Sequence, residues 1–193
     1  MNEKIKNDIK TFQSLINRLD NEHRTQITEM MNEIGAHYFT APASTSVDKH
    51  DCFPGGLISH SIDVYKNLEQ LANIWGNPEM WQSYRIVAFM HDLGKACTTD
   101  KQDVYILETE DWKIKKGNKY KLNPEIKDGL THAQRSVRLL SHFGVKLTDG
   151  EYLAILSHDS IYLEENCCFR YKMNDLAFLL HWADMKTVFL DKK

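Results

Sequence analysis

Residues 86–95 have the sequence IVAFMHDLGK, and this stretch decides the fold of the chain. The unbroken apolar run at 86–90 predicts the end of a buried helix, and Gly94 is typical of the residues that terminate one. His91 and Asp92 follow that run directly. A buried imidazole and a buried carboxylate need polar partners, because an unpaired buried polar group is costly. A metal ion satisfies both groups, so these two residues are candidate metal ligands.

The composition is that of an ordinary soluble globular protein, with 26% charged and 42% hydrophobic residues. The 193 residues are enough for a sizeable core, and we expect 1–193 to form a single domain. The net charge of -3 provides no positive field that would attract nucleic acid or an acidic membrane. A phosphorylated ligand must therefore be held by individual lysines or arginines, or by a metal ion.

No part of the sequence has the pattern of a secreted or membrane protein. The N-terminal segment lacks the apolar core of a signal peptide, and no window approaches the roughly 18 apolar residues of a membrane span. The cysteines form no CxxC pair, which is typical of free thiols in a reducing compartment; they are Cys52, Cys97, Cys167 and Cys168. We therefore expect a cytoplasmic protein that binds no membrane.

Apolar residues at helical spacing predict an all-α fold. Two helices cover about 4–35, within an N-terminal segment 1–36, with a break near Asp20. Further helices are predicted at about 57–75, 77–91, 131–143, 149–157 and 174–190. Residues 37–56 form a long loop, and long loops in compact domains are often functional. Strand-like composition at 104–107 and 112–115, a turn at 116–119 and a further short stretch at 120–122 predict a small inserted β-hairpin, at about 103–122.

Four more residues have metal-ligand chemistry and lie on an inner face or at an end of a predicted helix: His60, His132, His158 and Asp184. Helical bundles build metal sites from side chains that converge from facing helices. Imidazole and carboxylate ligands suit Mn, Fe, Co, Ni or Zn, and Mg where oxygens dominate. Two metals could share Asp92 as a bridge, and paired ions of this kind lie roughly 3.5–4 Å apart.

The motifs around these residues resemble the HD-domain superfamily of metal-dependent phosphohydrolases. The stretch 55–61, GGLISHS, resembles the entry to the first ligand helix, and 89–95, FMHDLGK, resembles the central motif. Residues 131–133, THA, resemble the segment that supplies the next histidine, and 183–185, ADM, resemble the closing motif. The resemblance covers about residues 41–190. Within the superfamily, the chain resembles the HD core of the HD-family 3′–5′ exoribonucleases, without their accessory domain.

The resemblance implies a helical HD-domain bundle with one metal held by His60, His91, Asp92 and Asp184. It implies a second metal held by His132 and His158, with Asp92 bridging. The implied reaction is hydrolysis of a phosphoester of a nucleotide or short oligonucleotide by a metal-activated water. Asp159 is either an extra ligand or a loop carboxylate.

The chain departs from each well-known subfamily. It lacks the GYP signature of the cyclic-di-GMP phosphodiesterases and the Pro-Glu that follows His-Asp in the small 5′-deoxynucleotidases. It has Leu93-Gly94-Lys95 where guanosine tetraphosphate hydrolases carry an acidic pair. The substrate, the physiological metal and the oligomeric state therefore stay open.

Several further residues are candidates for contacting the substrate. Lys95, about one turn beyond His91, is expected to act in catalysis with Asp92 and to neutralise phosphoryl oxygens. Arg135, three residues after His132, is either a phosphate ligand or a surface arginine. His50 is either a proton donor to a leaving group or an ordinary loop residue. Tyr105 and Arg170 lie in segments that could cover the pocket.

The predicted insertion is rich in lysines interleaved with aromatics: Lys113, Lys115, Lys116, Lys119 and Lys121, with Trp112 and Tyr120. Such a surface either binds a single-stranded nucleic acid or is a hairpin kept soluble by edge lysines, and the second interpretation is favoured. Two other functions stay open: a di-iron oxygenase with the same four-histidine, two-aspartate set, and a non-catalytic nucleotide-binding module.

Overall fold

The computed structural model describes residues 2–159 and 173–191, and their fold is all-α with one small hairpin. The elements in chain order are α1 (Glu3–Ile16), α2 (Asn21–Thr40), α3 (Gly56–Trp75), α4 (Trp81–Met90), β1 (Tyr105–Leu107), α5 (Asp111–Lys115), β2 (Tyr120–Leu122), α6 (His132–His142), α7 (Asp149–Ser157) and α8 (Asp175–Lys186). Short 3-10 turns at Pro78–Met80 and Leu93–Lys95 flank α4, and a π-helical turn at Thr187–Asp191 follows α8. The predicted fold class is confirmed.

The core lies around α3 and α4. Every residue of the apolar run 86–90 is completely buried, as the sequence predicts. Helix α3 packs against α1, α2, α4 and α8, and α4 also contacts α7 and α8. Phe12, Tyr38 and Phe89 form an aromatic cluster at the α1–α2–α4 contact, and the Tyr38 hydroxyl donates to the Phe89 carbonyl over 2.8 Å. This bond fixes the last turn of α4, immediately before His91.

The helices that carry the later histidines begin at well-defined caps. Thr131 and Gln134 form a capping box at the start of α6, and Thr148 and Glu151 form another at the start of α7. Asn174 caps α8 and its amide also donates to the Gly150 carbonyl at the start of α7. These contacts fix where α6 and α7 start, and they tie α8 to α7.

The insertion differs from the prediction in one element. The strands β1 and β2 pair antiparallel with Tyr105 opposite Leu122, but the stretch 112–115 is helical and not a strand. The Ile114 amide donates to the Glu110 carbonyl, and Asp111 begins the turn while lysines end it. This charge order suits the helix dipole and outweighs the strand-like composition.

The loop before α3 begins later than predicted, at residue 41, because α2 continues to Thr40. Cys52 and Cys97 are free buried thiols, while Cys167 and Cys168 lie outside the described residues. In residues 2–159 and 173–191, each helix is too short or too polar to cross a membrane.

Candidate metal centre

Five helices bring the six predicted ligands to one place. His91 caps the C-terminus of α4 and Asp92 follows it. His132 is the first residue of α6, His158 caps the C-terminus of α7, and the remaining two lie within α3 and α8: His60 and Asp184. The sequence prediction that these residues converge is therefore met by the geometry.

The Asp92 carboxylate lies at the middle of the cluster and is 1% exposed. Its Oδ2 atom is 3.5 Å from Nε2 of His60 and 3.5 Å from Nε2 of His91. Its Oδ1 atom is 3.4 Å from Nε2 of His132 and 3.5 Å from Nε2 of His158. Each carboxylate oxygen thus faces a different pair of histidines.

Two further carboxylates, those of Asp184 and Asp159, contact histidines of the cluster. Asp184 Oδ1 is 3.1 Å from His60 Nε2, and Asp159 Oδ2 is 2.9 Å from His132 Nε2. Within the described residues, three groups have ligand atoms that all lie within 4.8 Å of one another and could hold a metal: His60, His91 and Asp184; His91, Asp92 and His158; His132, His158 and Asp159.

Several of these atoms are buried without a hydrogen-bond partner among the residues described: His91 Nε2, Asp92 Oδ1 and Asp184 Oδ1. Such orphaned groups are rare in folded proteins, because burying a polar atom unpaired is unfavourable. A divalent cation satisfies them together, and the mixed imidazole and carboxylate donors have suitable chemistry for one. The residues present therefore fit a metal ion.

Hydrogen bonds behind the histidines set which nitrogen faces the centre. His91 Nδ1 is 3.0 Å from the Ala88 carbonyl, and His158 Nδ1 is 2.8 Å from the Ile155 carbonyl. A carbonyl only accepts, so Nδ1 carries a proton in each ring and Nε2 is the nitrogen that faces the centre. Metal-binding histidines are normally oriented in this way.

The charges around Asp92 keep the centre anionic. Burial would raise the pKa of Asp92, but the Lys95 ammonium and the nearby histidines hold it well below its usual value. The pKa of Asp184 is also lowered, against the effect of burial, by His60, and that of Asp159 by His158 and His132. All three carboxylates are therefore ionised at neutral pH.

His91 and His158 are both buried but differ in charge. Burial lowers the pKa of His91 to about 4, so its imidazole is neutral. Burial opposes protonation of His158 as well, but Asp159 and Asp92 raise its pKa to about 9. A proton on His158 occupies the place that a cation would take, since a metal ligand must be deprotonated.

Lys95 contacts the metal centre, whereas the guanidinium of Arg135 is bonded to other parts of the protein. The Lys95 side chain is only 13% exposed, and its Nζ donates to Asp92 Oδ2 over 2.7 Å. Arg135 is 4% exposed, and its guanidinium donates to both oxygens of Asp128 and to the carbonyls of Gly94 and Leu130. Its donors are bonded to protein acceptors, which favours a structural role, and the phosphate contact stays a prediction.

Two hydrogen bonds that sequence reasoning missed hold the central motif against α6. The Gly94 amide donates to Ser136 Oγ over 2.8 Å, and that hydroxyl donates to the His91 carbonyl over 2.7 Å. A Cβ at Gly94 would lie 2.1 Å from the His132 carbonyl oxygen. Ser136 lies one helical turn after His132, and this spacing is the only sequence signal for its role.

Other residues near the centre come from the loop 41–55 and the insertion. His50 lies against His60, with ring centroids 4.7 Å apart, and burial with the neighbouring His60 lowers its pKa to about 3. Asp51 Oδ2 is 4.0 Å from His60 Nδ1, a contact the sequence did not predict. Burial raises the pKa of Tyr105, which interacts with Lys95 and Asp92, and Arg170 lies outside the described residues.

The lysines of the insertion are partly neutralised. Lys113 donates to Glu110, and Lys121 donates to the Thr109 hydroxyl with Glu108 at 3.7 Å. Lys116 lies over the ring of Trp112, 5.0 Å from its centroid. These contacts favour the interpretation as a solvated hairpin, and nucleic-acid binding there stays a prediction.

Comparison with known proteins assigns the family. The model of the HD domain matches residues 57–158, a range that contains five of the six converging residues and ends before Asp184. No match was found among curated proteins or among solved structures. HD domains are in general metal-dependent phosphohydrolases. Because the match covers more than half of the chain, the protein belongs to the HD domain family.

Proposed function

We propose that this protein is a metal-dependent phosphohydrolase that cleaves a phosphoester of a nucleotide or short oligonucleotide. The observation that carries the proposal is the Asp92 carboxylate, which has one oxygen toward His60 and His91 and the other toward His132 and His158. This arrangement suits a carboxylate shared by two cations, and paired cations are typical of phosphoryl-transfer sites.

The contacts support two proposed sets of ligands that share Asp92. His60, His91, Asp92 and Asp184 hold one metal, and His132, His158 and Asp92 hold the other. Asp159 is close enough to His132 to join the second site. The donor set is compatible with Mn, Fe, Co, Ni or Zn, and with Mg where oxygens dominate.

The charge balance supports cation binding. Asp92, Asp159 and Asp184 are ionised, and the cations that face them are Lys95, bonded to Asp92, and the protonated His158. Burying excess negative charge is unfavourable unless it is neutralised. Divalent metal bound here supplies Lewis acidity, which lowers the pKa of water and neutralises charge on phosphoryl oxygens.

The chain's own residues supply position and charge. Asp92 lies between the Nε2 atoms of four histidines, and the His91 and His158 rings are fixed by backbone carbonyls. Lys95 carries a permanent positive charge, since the neighbouring Asp92 raises its pKa despite burial. That charge is placed to attract the phosphoryl group and to stabilise the charge that develops in the transition state.

The experiment compares wild type with Asp92→Ala on a panel of nucleoside phosphates, cyclic nucleotides and single-stranded oligonucleotides, with Mn added. We expect phosphate or nucleotide release by wild type and at least about 100-fold less by the variant, because the shared ligand is removed. Asp100→Ala, which removes an exposed carboxylate outside the cluster, is the matched control and should retain activity. Equal, negligible turnover by all three proteins would count against the proposal.

Experiments on the same purified protein distinguish the phosphohydrolase from the two other functions that the donor set allows. Metal analysis of protein purified without oxygen, followed by an oxygen-consumption assay, tests the di-iron oxygenase. Tightly bound iron with oxygen-dependent turnover and no phosphate release would replace the phosphohydrolase by that activity. Nucleotide binding without turnover across several metals would favour a non-catalytic binding module.

A further inference from the structure

His50 has a buried polar atom that the proposed ligand set does not use. Its Nε2 has no hydrogen-bond partner in the described part of the chain and is shielded from solvent. The ring packs on that of His60, with the planes inclined by 38°. Even so, His50 belongs to none of the groups whose ligand atoms lie within 4.8 Å of one another. It therefore lies beside the candidate metal centre and outside its ligand cluster.

The backbone that carries His50 is held firmly. Ser44 Oγ donates to the His50 carbonyl over 2.6 Å, and the Ala43 amide donates to the Asp51 carbonyl over 3.2 Å. Asp51 has φ 50°, a left-handed conformation that is uncommon for a residue other than glycine. The Asp51 carbonyl also approaches Gly56 so closely that a Cβ there would lie 1.9 Å away. A strained conformation persists only where the surroundings over-determine it, and such residues cluster at functional sites.

The loop 41–55 is also fastened to the insertion. The Val47 amide donates to the Gly117 carbonyl over 2.9 Å, and the Lys119 amide donates to the Thr45 carbonyl over 2.9 Å. The insertion carries Tyr105, which interacts with Lys95. The loop and the hairpin thus form a joined rim beside the centre, with Lys95 close enough to His50 and Tyr105 to interact with both.

We propose that His50 is a substrate-contacting residue whose Nε2 hydrogen bonds to a phosphoryl oxygen of the substrate, and that it is not a metal ligand. The proposal rests on the proposed function, because it needs a phosphoryl group at the centre. A phosphoryl oxygen is the partner that fits, since it accepts from an imidazole N–H and from the nearby Lys95 ammonium. The phosphoryl oxygen thus gives His50 Nε2 a hydrogen-bond partner when substrate is bound.

Calorimetric titration of inorganic phosphate into the Mn-loaded full chain tests the contact directly. Losing a hydrogen bond to a charged group should weaken phosphate binding by roughly 10- to 100-fold in His50→Ala. His50→Gln keeps an N–H donor of similar reach and should recover part of the affinity. His142→Ala removes an exposed histidine of α6 and should bind phosphate as wild type does. Thermal unfolding of each variant checks that it is folded.

A separate Mn titration distinguishes a substrate contact from a metal ligand. We expect Mn affinity and stoichiometry within about twofold of wild type in both His50 variants. A tenfold or larger loss of Mn affinity would make His50 a ligand and overturn the proposal. So would phosphate affinity unchanged in folded His50→Ala, or a wild-type protein that binds no phosphate. If the loaded protein binds phosphate through His50 but releases none from any phosphoester, the proposed function fails and the contact stands.

Discussion

Replacing Gly94 by alanine should destabilise the protein and disable one side of the metal centre. The new Cβ would lie 2.1 Å from the His132 carbonyl oxygen, 2.7 Å from the Ser136 amide nitrogen and 2.8 Å from Arg135 Cβ. All three atoms belong to α6, two of them to its backbone, which has no free rotation that relieves the clash. Helix α6 must retreat by about 1 Å to restore ordinary contact, and overpacking of this kind typically costs about 1–3 kcal/mol.

The retreat also stretches the bonds that cross this contact. The Gly94 amide donates to Ser136 Oγ over 2.8 Å, and Arg135 Nη1 donates to the Gly94 carbonyl over 3.1 Å. A typical internal hydrogen bond contributes about 1 kcal/mol, and one from a charged group somewhat more. Together with the overpacking, we expect the free energy of unfolding to fall by about 3 kcal/mol.

The metal centre should respond unevenly, because only one proposed ligand lies on α6. His132 moves with its helix, whereas none of the three atoms nearest to the new methyl group belongs to the elements that carry His60, His91 and Asp184. Mn titration of wild type should show two sites, and Gly94→Ala should lose or weaken the one that includes His132. Urea unfolding in the presence of a chelator measures the stability change apart from metal binding.

Gly150→Ala is the matched control for this experiment. Its nearest neighbour is the end of a flexible side chain, Asn174 Nδ2 at 3.2 Å, and its backbone is helical. Its unfolding free energy should stay within about 1 kcal/mol of wild type, since alanine is the better helix former. Wild-type stability and two normal metal sites in Gly94→Ala would contradict the prediction. The central motif would then not pack against α6 as closely as the structure indicates.

Three further predictions address the surroundings of the site. Asp51→Asn should weaken Mn binding by roughly 10-fold in calorimetry, because it removes a negative charge that lies 4.0 Å from Nδ1 of His60, a proposed ligand; affinity equal to wild type would exclude that role. Mn at about 100 times its dissociation constant should raise the unfolding free energy by about 2.7 kcal/mol for each site, and a chelator should reverse it. An unchanged melting temperature with Mn would contradict a metal centre. Burial opposes protonation of His23, but Asp20 raises its pKa above the ordinary value. Its stabilisation is therefore complete below the unfolded pKa and is lost as pH rises through the folded one. Urea unfolding from pH 5 to 9 should show a steeper loss in wild type than in His23→Gln, and parallel curves would refute this.

The helices could be predicted closely because their signal is local. Apolar residues at helical spacing gave α7 with both ends correct and α6 to within one residue at each end, and the capping threonines reinforce those starts. The convergence of six ligand-type residues could also be predicted, because each lies on an inner face or at an end of a helix. The strand expected at 112–115 is a helix because its charge order and backbone bonding outweigh residue composition.

The contacts around the site could not be predicted, because they depend on how distant segments approach. The relation of His50 and Asp51 to His60 is set by a loop whose path depends on a left-handed residue and on Gly56. The contact between Gly94 and α6 joins segments about forty residues apart, and no periodic pattern encodes it. Sequence reasoning reached the ligand chemistry but not the residues that hold it in place.

Arg135 and Asp92 show what separates a structural polar residue from a functional one. Both are charged, buried and close to the central motif, so residue type and position do not distinguish them. Arg135 has protein acceptors for its donors in Asp128 and two carbonyls. Asp92 has Lys95 on one oxygen and an unpaired second oxygen that faces two histidines. Because folding leaves a buried acceptor unpaired only at a cost, the unpaired oxygen is the feature that points to cation binding.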